Sequence, residues 1–255
     1  MTSPIPLTAW ERPYWQPNDE EIVLQFYVFG EFEAVRVPSQ PYGSPGLPAG
    51  ITSTNHYHHA LRSWEGYPLK GSLGKLFKDE SPEAYQRAVD APQVLVVRGT
   101  IKDTADTGYL RDVMGVLAGL LDIGGVAILD PQILTLLDAD GWRRRYLVRE
   151  GAPIRSHLLI LRDGESEPGR NWIHTRGMRK FGRPDFSLRG VPDDQVNLAG
   201  SLCERLVELE ALGGRFQDGQ QVEIPGLPDD LTGRLGGSLE HPDFHNTFVE
   251  FRWPA

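Results

Sequence analysis

Residues 171–189 read Asn-Trp-Ile-His-Thr-Arg-Gly-Met-Arg-Lys-Phe-Gly-Arg-Pro-Asp-Phe-Ser-Leu-Arg and concentrate groups able to grip an anion. Five cations, Arg176, Arg179, Lys180, Arg183 and Arg189, stand there against one acid, Asp185, in a chain of formal net charge -9. Arg meets carboxylates and phosphates through paired N–H donors, whereas Lys supplies a point charge. Gly177 and Gly182 bracket Met178 to Phe181, so the backbone is free to turn sharply on either side. The segment therefore reads as a basic, aromatic loop presented to a partner or an anionic ligand. Its binding residues would be Trp172, His174, Arg176, Arg179, Lys180 and Arg183. The competing expectation is that these charges pair with the chain's own acidic surplus.

Other reactive side chains point less clearly to chemistry. His56, His58 and His59 cluster in one stretch, and His241 and His245 flank Pro242-Asp243-Phe244. Zinc needs three or four converging ligands. Pro242 argues against a helix that would place His241 and His245 on one face, so with Asp243 they would form a ligand set only on a loop. The expectation is no metal and no cofactor, with Asp243 and Asn246 acting as turn formers ahead of the last strand. Cys203 falls on an apolar helical stripe and reads as an inert thiol. No Gly-x-Ser-x-Gly elbow occurs. Gly71-Ser72-Leu73-Gly74-Lys75-Leu76 fails the phosphate-loop pattern, because the glycine spacing is wrong and Leu76 replaces the metal-binding hydroxyl. No dinucleotide fingerprint follows the strand at Val94. Catalytic residues are not assigned.

Composition sets the outer bounds. With 255 residues, 40% hydrophobic and 24% charged, the chain has material for a globular core. A pI near 5.3 argues against nucleic acid as a general partner. One cysteine excludes an internal disulfide framework. The opening residues show no basic start followed by an apolar run, and the apolar stretch Val113 to Leu121 is too short to cross a bilayer. A cytoplasmic location without membrane contact is the expectation; the oligomeric state is not legible.

Periodicity then supplies the elements that would position the basic loop. Ile22, Leu24, Phe26 and Val28 alternate as in a strand, and a second strand is predicted from Phe32 to Val37. The Pro- and Gly-rich stretch 38–50 reads as loop. Residues 1–90 are taken as an N-terminal subdomain or lead-in, and residues 91–255 as the core domain. Within the core, Val94–Val97 and Val126–Leu129 read as buried strands. Between them Leu110, Val113, Met114, Leu117, Leu120 and Leu121 mark a helix. That order predicts a parallel pair joined by a right-handed βαβ crossover. Polar groups at its strand ends, Arg98, Thr100, Lys102 and Asp130, would border a crevice or merely be solvated and capping groups. Gly115 and Gly119 would let the helix approach a neighbour closely. Asp130-Pro131 would start a short helix through Leu137. Ser156–Arg162, Arg170–Thr175, Asp185–Arg189, Gln221–Ile224 and Thr247–Trp253 read as strands. A helix capped by Asp193 or Asp194 would bury Ala199, Leu202, Cys203, Leu206 and Leu209 and stop at Gly213-Gly214. The sum is an α+β fold with a mixed sheet and helices packed on it.

Trp172 to Phe186 resembles the threonine, x, glycine-leucine, x, x, phenylalanine-glycine, x, proline-glutamate signature of a family of uncharacterised bacterial cytoplasmic domains. Gly125-Val126-Ala127-Ile128-Leu129-Asp130 and His241-Pro242-Asp243-Phe244-His245-Asn246 are similar to it as well. The resemblance covers residues 91–255 and departs from the pattern at Met178 and at Asp185-Phe186. Some members are regarded as immunity or toxin-neutralising proteins, and the family supplies no catalytic residues. It implies a non-catalytic bacterial binding protein that masks a toxin or effector. The rival reading is an enzyme on a small anionic ligand held by Arg176, Arg179 and Lys180, with His174 as acid or base. A third is a scaffolding subunit.

Overall fold

The computed structural model describes residues 6–254 apart from 33–35, 58–60, 62, 149–152 and 226. In chain order the strands are β1 (Glu21–Gly30), β2 (Ile51–Tyr57), β3 (Gln93–Lys102), β4 (Gly125–Asp130), β5 (Thr135–Asp138), β6 (Leu159–Gly164), β7 (Arg170–Arg176), β8 (Asp185–Pro192), β9 (Arg234–Ser238) and β10 (Asn246–Arg252). The helices are α1 (Gly71–Glu80), α2 (Pro82–Asp90), α3 (Gly108–Asp122), α4 (Ala139–Tyr146) and α5 (Val196–Ala211). The fold is α+β, with two five-stranded sheets ordered β2-β3-β1-β4-β5 and β6-β7-β8-β10-β9.

The chain divides into two units. One holds Met1–Glu11, Val23–Ile101 and Asp106–Ser156, the other Arg12–Ile22, Lys102–Ala105 and His157–Ala255. The boundary expected at residues 90 and 91 is not where the chain divides. β1 and β2, from the first ninety residues, share a sheet with β3, β4 and β5, because β1 is apolar enough to be buried at its centre.

In the first unit, Leu24, Phe26 and Val28 are buried along β1, as their alternation requires. Tyr27 and Phe29 turn the other way. They pack with Val94, Val96, Ala127 and Leu129 against Phe77 of α1 and Ala84 and Ala88 of α2. β1 pairs antiparallel with β4, Tyr27 opposite Leu129, and lies between β3 and β4. The two strands flanking α3 are therefore not neighbours in the sheet, since β1 takes the place between them. α3 itself is buried on nearly every side, from Tyr109 to Leu121.

Local chemistry explains the other departures. Asp130 does cap a turn, accepting from Gln132 N at 3.0 Å, but that turn is a single 3-10 segment, Pro131–Ile133. Leu134 then adopts φ 47 and the chain returns as β5, Ile128 opposite Leu137. The apolar run after Pro131 is a hairpin strand, not a helix. α1 was hidden by its glycines. A Cβ at Gly74 would lie 2.0 Å from Leu69 O, so close packing excludes any side chain there. α4 starts where Asp138 accepts from Gly141 N at 2.7 Å, and buries Trp142 and Tyr146 one turn apart. The strand predicted at Phe32–Val37 lies partly outside the described residues, and the described part is not strand. His58 and His59 lie outside them too.

In the second unit α5 packs on β7 and β8. Phe186, Leu188, Val249 and Phe251 are all fully buried. Ala199, Leu202, Cys203 and Leu206 are buried on α5 as predicted, but Leu209 is 44% exposed, and Glu210 takes the inward position instead. The parallel ladder here joins β10 to β8, Glu250 opposite Ser187. Gln221 makes only an isolated bridge to Thr232, where a strand was expected. Asp103 accepts from Trp15 Nε1 at 3.1 Å, Asn18 Nδ2 at 2.9 Å, Arg183 at 2.8 Å and Arg12, tying residues 12–18 into this unit. Among the described residues, no helix is long and apolar enough to cross a membrane.

Candidate partner-binding face

The basic segment folds as β7, a 3-10 turn over Met178–Phe181, and β8. Gly177 at φ 109 and Gly182 at φ 63 flank the turn, a backbone that disfavours any residue with a Cβ. β7 and β8 pair antiparallel, His174 opposite Ser187 and Ile173 opposite Leu188. The period of two sends Ile173 and Leu188 toward α5. It sends Trp172, His174, Ser187 and Arg189 to the opposite face, which no α-helix of this unit covers among the described residues.

That face carries an ordered aromatic row. The Trp172 and His174 rings stack at 3.8 Å, and Arg189 lies 3.7 Å over the Trp172 ring. Trp172 Nε1 donates to Ser187 Oγ at 2.9 Å, which fixes the indole's rotation. Phe244 stands edge-on to both Trp172 and His174, at 5.8 and 5.7 Å, and packs on Phe248 at 4.6 Å. His241 meets Phe248 at 5.1 Å. Trp172, His241 and Phe248 keep part of their surface exposed, while His174 and Phe244 are buried.

The cations have different work. Arg176 donates to Asp243 O, and Arg179 NH1 donates to His245 O at 3.0 Å. Both guanidinium groups therefore brace the turn that inserts Phe244. Asn246, at the end of that turn, donates to Arg183 O at 3.0 Å and to Asp185 Oδ2 at 2.8 Å. Thr175 Oγ1 donates to Asp185 Oδ1 at 3.0 Å and accepts from Phe186 N at 2.8 Å. Residues 172–186 and 241–246 are thus joined in one hydrogen-bonded unit. His241 Nδ1 accepts from Asp243 N at 3.3 Å, and among the described residues no three His, Cys, Asp or Glu side chains gather as a metal site.

Lys180 and Arg183, predicted as outward contacts, are buried, at 0% and 3% exposure. Lys180 Nζ donates to His157 O at 2.9 Å. Arg183 donates to Gly213 O, Gly214 O and Asp103 at 3.1, 2.9 and 2.8 Å. A buried cation needs such partners, so these two hold the fold rather than a ligand. Arg189 sits beside Glu165 at 3.4 Å and Glu250 at 3.9 Å. The surplus of positive charge read from the sequence is thus largely consumed within the unit, mostly by backbone carbonyls.

Burial shapes the titration of this region. It pushes the His174 imidazole down to about 4, with Arg176 and Arg189 adding to the effect against the opposing pull of Asp163. His174 is therefore neutral at physiological pH. Burial raises Asp185 to about 6 against the donors of Asn246, Thr175 and Met178. It raises Glu210 to about 8 despite the Phe216 N–H bonded to it at 3.0 Å.

Sequence reasoning missed Phe244, Phe248 and Ser187 as parts of this face. The alternation of β8 around buried Phe186 and Leu188 was the available signal for Ser187 and Arg189. Phe244 had none, because its insertion depends on a turn held by residues far away in sequence. No family model, curated protein or solved structure matches this chain.

Proposed function

We propose that this chain is a non-catalytic bacterial binding protein that neutralises a toxin or effector by covering it, using the face of its second sheet opposite α5. The observation that supports this reading is the preorganised row Arg189, Trp172, His174, Phe244 and Phe248. Trp and Arg are the side chains that most often dominate protein interfaces, and a ring already held by stacking and an Nε1 hydrogen bond loses little entropy on docking. The contact is then aromatic with a guanidinium edge, not a cationic clamp. Arg176 and Arg179 serve it indirectly by bracing the turn that carries Phe244.

A small-anion enzyme using Arg176, Arg179 and Lys180 has weaker support, because the Lys180 ammonium is bonded to a backbone carbonyl in the interior.

Affinity capture from lysate of the native cells, with full-length wild type and the W172A and F248A variants as bait, tests the proposal. A protein retained by wild type and lost with both variants is expected. Expressed alone it should arrest growth, and co-expression of this chain should restore it. Capture unaffected by both variants, or a captured protein without toxicity, would overturn the reading.

A further inference from the structure

The first unit contains a preformed cavity that the docking face does not use. The loop from Val37 to Leu47 is fixed onto α3. Ser44 Oγ donates to Asp112 O at 2.7 Å, and Tyr42 Oη donates to Asp122 Oδ2 at 2.6 Å. The helix meets this loop with its two glycines. A Cβ at Gly115 would lie 2.4 Å from Ser44 Cβ, and one at Gly119 would lie 2.9 Å from Pro38 O. The close approach read from Gly115 and Gly119 in the sequence is real, and its partner is this loop. Both anchors and both close approaches hold the wall in place, so the space beside it does not collapse.

Between loop, helix and sheet remains a cavity of about 490 Å³. That lies inside the range of roughly 300–1,000 Å³ found for small-molecule sites. Pro38, Leu47, Leu95, Val116 and Leu120 line it with apolar surface. Arg36 also lines it; this residue is exposed and forms no ion pair among the described residues. A pocket lined by these apolar side chains, by Ser39, Gln40 and Ser53, and by a guanidinium with no ion pair among the described residues is complementary to an amphipathic anion. Arg suits a carboxylate in particular, because its N–H groups match the two oxygens.

We propose that this cavity binds a small aliphatic carboxylate. The tail lies between Val116 and Leu120 of α3 and Leu95 of β3, and the carboxylate rests on Arg36.

Calorimetric titration of the full chain with octanoate and octanol is the test. Octanoate should bind saturably, and octanol about fivefold more weakly, as expected for loss of one exposed ion pair. R36Q should bring octanoate down to the octanol level. Ser53 is an exposed β2 residue lining the cavity, so S53W should block octanoate while leaving the melting temperature unchanged. Absence of saturable octanoate binding, binding that survives S53W, or octanoate affinity unchanged in R36Q would overturn the proposal.

Discussion

Arg189 and Trp172 form a cation–π pair, the guanidinium carbon 3.7 Å from the ring centre. Arg189 arrives from β8 and Trp172 from β7, so the contact is a cross-strand pair on the face away from α5. Glu165 and Glu250 beside the guanidinium hold it over the indole without burying it. A coupling of about 0.5–2 kcal/mol between the two side chains is expected. A double-mutant cycle of R189M and W172L, read by urea denaturation, measures it. Strict additivity would mean that the two groups do not interact in solution.

Thr175 is expected to matter more than its size suggests. Its hydroxyl donates to Asp185 and accepts from Phe186 N, and the residue is fully buried. T175V removes both bonds and leaves two buried groups short of partners, at a cost of about 2–4 kcal/mol. T175S keeps the hydroxyl and should lose less than half of that. A T175S loss as large as that of T175V, in the same urea melts, would contradict the dominant role of the hydroxyl.

Asp103 governs acid stability. Burial alone would raise its carboxyl, but the donors of Asn18, Arg12 and Arg183 outweigh that and hold it below the usual value of 3.8. A depressed acid contributes stability above its unfolded value and loses it as pH falls toward its folded one. Wild type should therefore lose stability steeply below pH 3.8, a component that D103N lacks. At neutral pH D103N leaves the buried Arg12 and Arg183 without their counter-charge and should cost about 3–5 kcal/mol. Circular dichroism during acid titration reads both effects.

Glu210 acts in the opposite direction. Burial lifts it from 4.5 to about 8, and its Oε2 has no hydrogen-bond partner among the described residues. Between those two values the unfolded chain ionises while the folded one keeps its proton. Its contribution is therefore complete below pH 4.5 and declines as pH rises toward 8. Asp185, raised to about 6, adds the same sign between 3.8 and 6. E210Q should flatten the decline and gain on the order of 2–4 kcal/mol at pH 7.5. Thermal melts from pH 5 to 8.5 decide it, and parallel curves for wild type and E210Q would contradict the assignment.

Much of the second unit was legible in the sequence. The strands carrying Ile173 and Leu188, the α5 stripe as far as Leu206 and the glycines bracketing Met178–Phe181 all produced the predicted local structure, because each depends on neighbours within a few residues. The same reasoning placed α3 and the buried Val94 and Val126 strands. It missed α1, where glycines serve close packing, and misread residues 131–137, where the αL turn at Leu134 reverses the chain.

The sequence by itself determined which faces must be buried and where charge accumulates, since hydrophobic period and composition are properties of short segments. Only the tertiary structure decided which cations were already spent and which strand stood beside which. Arg179 finds its acceptor 66 residues away, and β1 enters between β3 and β4 from the far end of the chain. A guanidinium group satisfies its N–H donors with whatever carbonyl the fold brings near. No pattern in the residues around it records where that carbonyl will be.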